Sequence, residues 1–222
     1  MTGVYERALG DAAADLHPKV RERYGIGVGG DACVGRGEMD ISRAGHMVPV
    51  LYGMTLDDLL FPEQGNAVPF TVTTVGFRTA GGHEAMTTRR TFEFDGTTRH
   101  FDSLTVWDGE HGRLLDFLGG HGLVASELHP RVEDGALVVE GGRQWTRLGS
   151  TYVPLPGPLA ASVEVRDRYD EADGRFHVEA VVENTLAGRI LSYRGSFTQT
   201  FEPRETVPER MRRHGLTTLP PA

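Results

Sequence analysis

Four Asp-Gly pairs punctuate the chain: Asp95-Gly96, Asp108-Gly109, Asp134-Gly135 and Asp173-Gly174. Glycine takes the positive φ of a tight hairpin without strain, so Asp-Gly between alternating apolar and polar runs is a strong local hairpin signal. Ala80-Gly81-Gly82 and Ala187-Gly188 serve the same purpose. The runs between them predict strands over Phe70–Arg78, Glu84–Phe94, Thr98–Trp107, Arg113–Leu118, Leu123–His129, Ala136–Trp145, Ser162–Tyr169, Phe176–Glu183 and Ile190–Phe201. Consecutive hairpins make an antiparallel meander, and a long meander curls or closes. The expected fold is mainly β: about nine or ten strands closed or rolled into a lipocalin-like barrel, preceded by an amphipathic helix. A sheet rolled around that helix is the competing architecture.

The helix is expected over residues 1–25, where Val4, Ala8, Ala12, Leu16 and Val20 recur at four-residue steps. Pro18 predicts a kink or restart and Gly25 a stop. The barrel is expected over 32–202, with a short helix or plug from 44–64 across one end, and Pro154–Pro158 as a stiff connection. Residues 203–222 are expected to form a loosely ordered tail, and the whole chain one domain.

Composition narrows the function. The chain has 23 Lys+Arg against 31 Asp+Glu, a net charge of −8, and no basic run, which argues against nucleic-acid binding. The single cysteine, Cys33, forms no internal disulfide and reads as a small buried hydrophobe. No apolar stretch approaches the roughly 18 residues of a membrane span, and the N-terminus lacks a signal-peptide layout. A cytoplasmic protein is expected. Lys19, the one lysine, lies in a charged helical run, which argues against Schiff-base chemistry.

Familiar motifs are missing. Gly25–Gly30 follows a helix instead of a strand, the wrong setting for a dinucleotide fingerprint. None of the nine histidines forms His-x-x-x-His, and neither a metal nor another cofactor is expected. His100 and Asp102 share one strand face, as do His177 and Glu179, but on Thr98–Trp107 both phases are mixed and alternation does not assign an inside. His100 and Asp102 are retained as candidate ligand contacts.

Elsewhere strand phase is decisive, because polar residues in the apolar phase of a barrel strand point inward. Arg90 shares its phase with Met86, Phe92 and Phe94; Asp167 with Val163, Val165 and Tyr169; Tyr193 and Gln199 with Leu191 and Phe197. Arg90 and Asp167 are therefore expected to be buried charges of opposite sign. Either they pair to organise the core, or Arg90 binds a substrate oxygen while Asp167 or Tyr193 moves a proton. Phe92, Phe94, Phe176, Phe197 and Gln199 are expected to line the ligand cavity.

Several segments in fixed order resemble a bacterial family known as domain of unknown function 4166. They are Tyr5-Glu6-Arg7-Ala8-Leu9-Gly10, Gly37-Glu38-Met39-Asp40, Leu60-Phe61-Pro62, Val68-Pro69-Phe70-Thr71, Arg90-Thr91-Phe92-Glu93-Phe94, Leu118-Gly119 and Tyr193-Arg194-Gly195-Ser196-Phe197. The resemblance implies small-molecule metabolism beside or fused to reductase-like domains, and transfers no catalytic residue. Thr87-Thr88 stands where similar members carry an aromatic. Three functions follow: a cofactor-independent cyclase or isomerase for a hydrophobic polyketide- or terpenoid-like molecule; a carrier of such a ligand; or an accessory domain with a reductase as partner.

Overall fold

The computed structural model describes residues 2–203 and 218–222. Eleven strands run in chain order: β1 (Ala32–Arg43), β2 (Gly65–Arg78), β3 (Glu84–Phe94), β4 (Thr97–Asp108), β5 (Arg113–Leu118), β6 (Val124–Glu133), β7 (Ala136–Leu148), β8 (Thr151–Pro154), β9 (Ser162–Asp170), β10 (Arg175–Asn184) and β11 (Gly188–Glu202). Successive strands pair antiparallel except β8 with β9; β7 bridges to β9, and β11 returns to β1. The result is a closed up-and-down barrel that leaves β8 outside, as an extension on the end of β7. Closure removes the free edges of a long meander.

Gly96, Gly135 and Gly174 of the Asp-Gly turns take positive φ, whereas Asp108-Gly109 opens a longer loop in which Gly112 takes it (63°). Asp134 and Gly135 both take positive φ (50° and 78°), the pairing of a two-residue hairpin. β1, which alternation did not single out as a strand, supplies the closing partner, with Gly35 and Gly37 in its inward phase. A Cβ on Gly37 would collide with the backbone carbonyl of Ser196 on β11, and one on Gly35 with the Phe197 ring.

The hairpins divide the barrel into two ends. At one, the turns 79–83, 109–112, 134–135 and 171–174 meet α1 (Val4–Leu9) and α2 (Pro18–Tyr24). The expected continuous helix is broken here by a 3-10 turn over Gly10–Asp15. Pro18 restarts it at a position where no N–H is needed, and His17 Nδ1 accepts the Lys19 N–H at 3.2 Å. Arg7 pairs with Glu84, and the His17 N–H reaches Gly135 O, so both helices cap this end. The other end carries the long connections, including α3 (Val48–Met54), the short helix anticipated from 44–64.

Two apolar cores follow. The larger lies inside the barrel. The smaller lies outside it, where Phe77, Leu104, Val106, Leu115, Phe117 and Trp145 pack with Tyr152 of β8 and with Leu219. Most of the expected tail, 204–217, lies outside the described residues; beyond it, Arg113 donates to the carbonyls of Pro220 and Pro221 (2.6 and 3.1 Å).

Candidate functional site

A cavity of about 200 Å³ lies inside the barrel against β3–β7 and β9–β11. Its polar groups gather toward the helix end. There Tyr5, Arg23 and Tyr24 come down from α1 and α2, and Thr88, Arg90, Thr105, Asp116 and Tyr193 stand on the strands. Its other walls are apolar apart from Thr74 and Gln144: Val163, Val165, Val182, Ile190 and Leu128, running out to Met54, Leu155 and Leu159 at the loop end. The chamber thus has a polar floor and an apolar throat.

Arg90 faces this chamber, as its phase on β3 predicts. It is half-buried, and its remaining exposed surface belongs to the cavity wall. Its guanidinium lies over the Phe101 ring, 4.7 Å from the centroid, with Ser103 Oγ at 3.5 Å. Among the described residues no carboxylate lies within ion-pair distance of it. Burial opposes its charge, but the nearby Tyr193 and Asp116 more than offset this and hold the guanidinium ionised. Burial raises the Tyr193 phenol, against the pull of Arg90, which keeps it neutral and able to donate.

Asp167 is buried too, at 1% exposure, but its partner is Arg23 and not Arg90. Arg23 Nε and the Tyr24 hydroxyl both donate to Asp167 Oδ2, at 3.0 and 2.9 Å. Asp167 Oδ1 has no hydrogen-bond partner. Burial pushes this carboxyl up, against the pull of Arg23, Tyr24 and Arg90. Arg23 also lies 4.6 Å from the Phe197 centroid and donates to Gln199 Oε1 at 3.3 Å. Asp167 and Gln199 therefore anchor the base of the helical cap and stand behind the cavity wall; only Tyr24 and Arg23 of this group reach the chamber.

Four aromatic residues expected to line the cavity instead fill the barrel beside it. Phe70 contacts both Phe92 and Phe197, with centroids 5.1 and 6.0 Å apart. Phe61 meets Phe92 and Phe94, and Phe176 stacks on Phe197 at 5.4 Å. Phe92, Phe176 and Phe197 are 0–2% exposed. The reason is register: Phe197 and Phe70 both lie opposite Gly37, and Phe70 lies opposite Phe92, so the rings meet across a gap that glycine leaves open.

His100 and Asp102 sit on the outward face of β4. Asp102 is held there by Arg89 (Nε–Oδ1 2.8 Å), and Thr91 Oγ1 lies 3.1 Å from His100 Nδ1. The outer core explains why phase failed on this strand: Leu104 and Val106 are buried outside the barrel, so both faces read as apolar. The same masking hid Asp116 on β5. It points inward between Leu114 and Leu118, while Leu115 and Phe117 fill the outer core. Thr105 Oγ1 donates to Asp116 Oδ1 at 2.8 Å. Burial pushes the Cys33 thiol up to about 11, in keeping with its role as a buried hydrophobe.

Comparison with known proteins places this architecture. A Bacillus subtilis (strain 168) protein described as uncharacterized, YndH, is 32% identical over 209 residues, covering 93% of this chain and 100% of its own. A solved structure of a presumed thioesterase II from Thermobifida fusca is 11% identical, covering 90% of this chain and 86% of that one. Its TM-score of 0.22 carries no argument about fold or activity. Residues 16–197 match the family described as a domain of unknown function, DUF4166. That span holds the aromatic belt, the Gly37 gap and most of the chamber, and the chain belongs to the DUF4166 family.

Proposed function

We propose that the protein is a small-molecule enzyme, an isomerase or cyclase, acting on a compact hydrophobic molecule that ends in a carbonyl or acid oxygen. The carrying observation is Arg90: among the described residues no carboxylate lies within ion-pair distance of its guanidinium, which is set in the wall of a largely apolar chamber with Asp116 and Tyr193 nearby. A buried cation without a directly paired carboxylate is costly, and a ligand oxygen that bears or develops negative charge supplies a direct partner. Tyr193 adds a second donor to that oxygen. Asp116, on the same polar floor, is the base. It takes a proton from the carbon next to the carbonyl, the C–H electron pair becomes a C=C bond, and the C=O π pair moves onto the oxygen held by Arg90. Returning the proton to another carbon completes an isomerisation with no redox change. Asp167 acts at one remove, by positioning Arg23 and Tyr24.

A chamber of about 200 Å³ is smaller than the roughly 300–1,000 Å³ of drug-sized sites. This favours a compact terpenoid-like substrate over an extended polyketide. The apolar throat also suits a carrier, and one set of variants separates the two readings. Protein purified from its own host is expected to bring a carbonyl- or carboxyl-bearing small molecule into native mass spectrometry. Arg90→Met should lose that molecule with the fold intact. Asp116→Asn should keep it while slowing turnover by about 10²–10⁴-fold, the usual range for a proton-transfer group. A carrier would be indifferent to Asp116→Asn, and retention unchanged in Arg90→Met would overturn the enzyme reading in favour of the carrier.

A further inference from the structure

Eight large apolar side chains stand exposed on the described surface, and all but Phe201 lie at the loop end of the barrel. Val50 and Tyr52 project from α3, and Leu56 (87% exposed) from the 3-10 turn after it. Leu123 lies between β5 and β6, and Leu148 ends β7. Leu159 (68%) and Leu186 (78%) occupy the tips before β9 and before β11.

These loops are stitched into a ring. His121 N–H donates to Asp57 Oδ1 (2.8 Å), joining the α3 segment to the β5–β6 loop. Arg147 N–H reaches Leu123 O (2.9 Å), and Gln144 Nε2 reaches Ala161 O (2.6 Å). Asn184 Nδ2 holds the carbonyls of Pro158 and Ala160 (3.0 and 2.7 Å), and His46 Nε2 lies 3.0 Å from Ala187 O, which returns to the α3 segment. Leu159 belongs both to this ring and to the cavity lining, so the ring encircles the throat.

The exposed tips are themselves uncharged: residues 44–56, 119–124, 149–161 and 184–188 contain no Asp, Glu, Lys or Arg, although those residues make up 24% of the chain. The charges that stitch the ring lie between the tips: Asp57 is buried against His121, and Arg147 donates to the carbonyls of Gly149 and His121. On a molecule of net charge −8, uncharged apolar tips complement an apolar phase. Protein interfaces surround their apolar centre with a polar rim. Here the order is reversed: separate apolar tips surround an opening, which a fluid surface can fill and a rigid one cannot.

We infer that this collar seats the loop end on a lipid bilayer, its apolar tips entering the boundary between headgroups and acyl chains, so that an apolar molecule passes from the lipid into the throat. The inference rests on the reading of the chamber as a hydrophobic-ligand site. It requires peripheral contact alone: among the described residues no helix is long and apolar enough to cross a membrane.

The test is flotation with neutral phosphatidylcholine vesicles at low and high salt. The wild type is expected to float at both, because apolar insertion is insensitive to screening. Val50→Glu/Leu56→Glu/Leu186→Glu should reduce flotation at least tenfold; if the triple variant fails to fold by circular dichroism, Leu56→Glu alone should reduce it severalfold. A wild type that stays unbound, that binds only anionic vesicles in low salt, or whose flotation the glutamates leave unchanged overturns the proposal. A dimer in light scattering that the glutamates dissociate would assign the collar to self-association and overturn it equally. Arg90→Met should float like wild type, so a failed ligand site and a failed collar give different results.

Discussion

At the residue scale, the Asp167 carboxylate is buried and held by a single ion pair. It has one oxygen shared between Arg23 and Tyr24 and the other without a partner. Removing one side of such a buried pair is more damaging than never having had it, because the remaining charge stays desolvated. Arg23→Met should therefore cost about 3–5 kcal/mol, and the cost should depend on pH. Burial already raises the folded-state Asp167 carboxyl above its ordinary, unfolded value. Between that value and the folded one, the native state holds more protons than the unfolded state, and stability falls as pH rises. Losing Arg23 lifts the folded value further and widens the window. Urea unfolding should show the variant's deficit shrinking toward acid pH, as Asp167 takes up a proton, and growing toward neutrality. A deficit independent of pH would mean that Asp167 is not the group left unpaired.

At the element scale, the β1–β11 seam decides whether the barrel closes at its present radius. Gly37 faces Phe197 across one seam and Phe70 across the other, and a side chain there meets backbone and ring atoms. Gly37→Ala should cost about 1–3 kcal/mol, the range for overpacking a core. Gly53→Ala is the matched control. That glycine lies in α3 with nothing within 4 Å of an added Cβ, and the change should be neutral or stabilising by up to about 1 kcal/mol. Thermal melts of the two variants give the comparison directly. The seam also accounts for the family segments: Gly37–Asp40 and Arg194–Phe197 are register partners on adjacent strands, with Tyr193 opposite Ile41, and Phe70 and Phe92 continue the row of Gly37 and Phe197.

At the scale of the whole molecule, closure is the defining event. β1 and β11 pair from opposite ends of the chain, as Ala32 with Glu202 and Arg43 with Leu191. Such pairing costs loop-closure entropy before it returns contacts, so folding should be slow, in the millisecond-to-second range of non-local β proteins. A chain truncated after Ala187 lacks β11 and leaves β1 and β10 as long open edges. It should aggregate instead of folding to a monomer, which size-exclusion chromatography would show. A soluble, monomeric truncation with native circular dichroism would mean that the remaining strands close without their last partner.

Much of this architecture was legible residue by residue. Asp-Gly turns and two-residue periodicity are local, and they were enough to give the meander, the hairpins and the inward direction of Arg90, Asp167 and Tyr193. Pro18 and Gly25 likewise marked the second helix, because a missing N–H and a flexible backbone act where they stand. What neighbours each inward side chain was settled elsewhere. Asp167 found Arg23, 144 residues away, because the helical cap descends over β9 while β3 turns Arg90 toward Phe101. The aromatic rings became a packed belt, not a cavity lining, because strand stagger put them opposite glycine. Asp116 stayed hidden, and His100 and Asp102 misleading, because an outer core against β4 and β5 makes both their faces apolar. Alternation records which side of a sheet a residue occupies; the radius of the closed barrel, the register around it and what covers its outer wall decide what that residue touches.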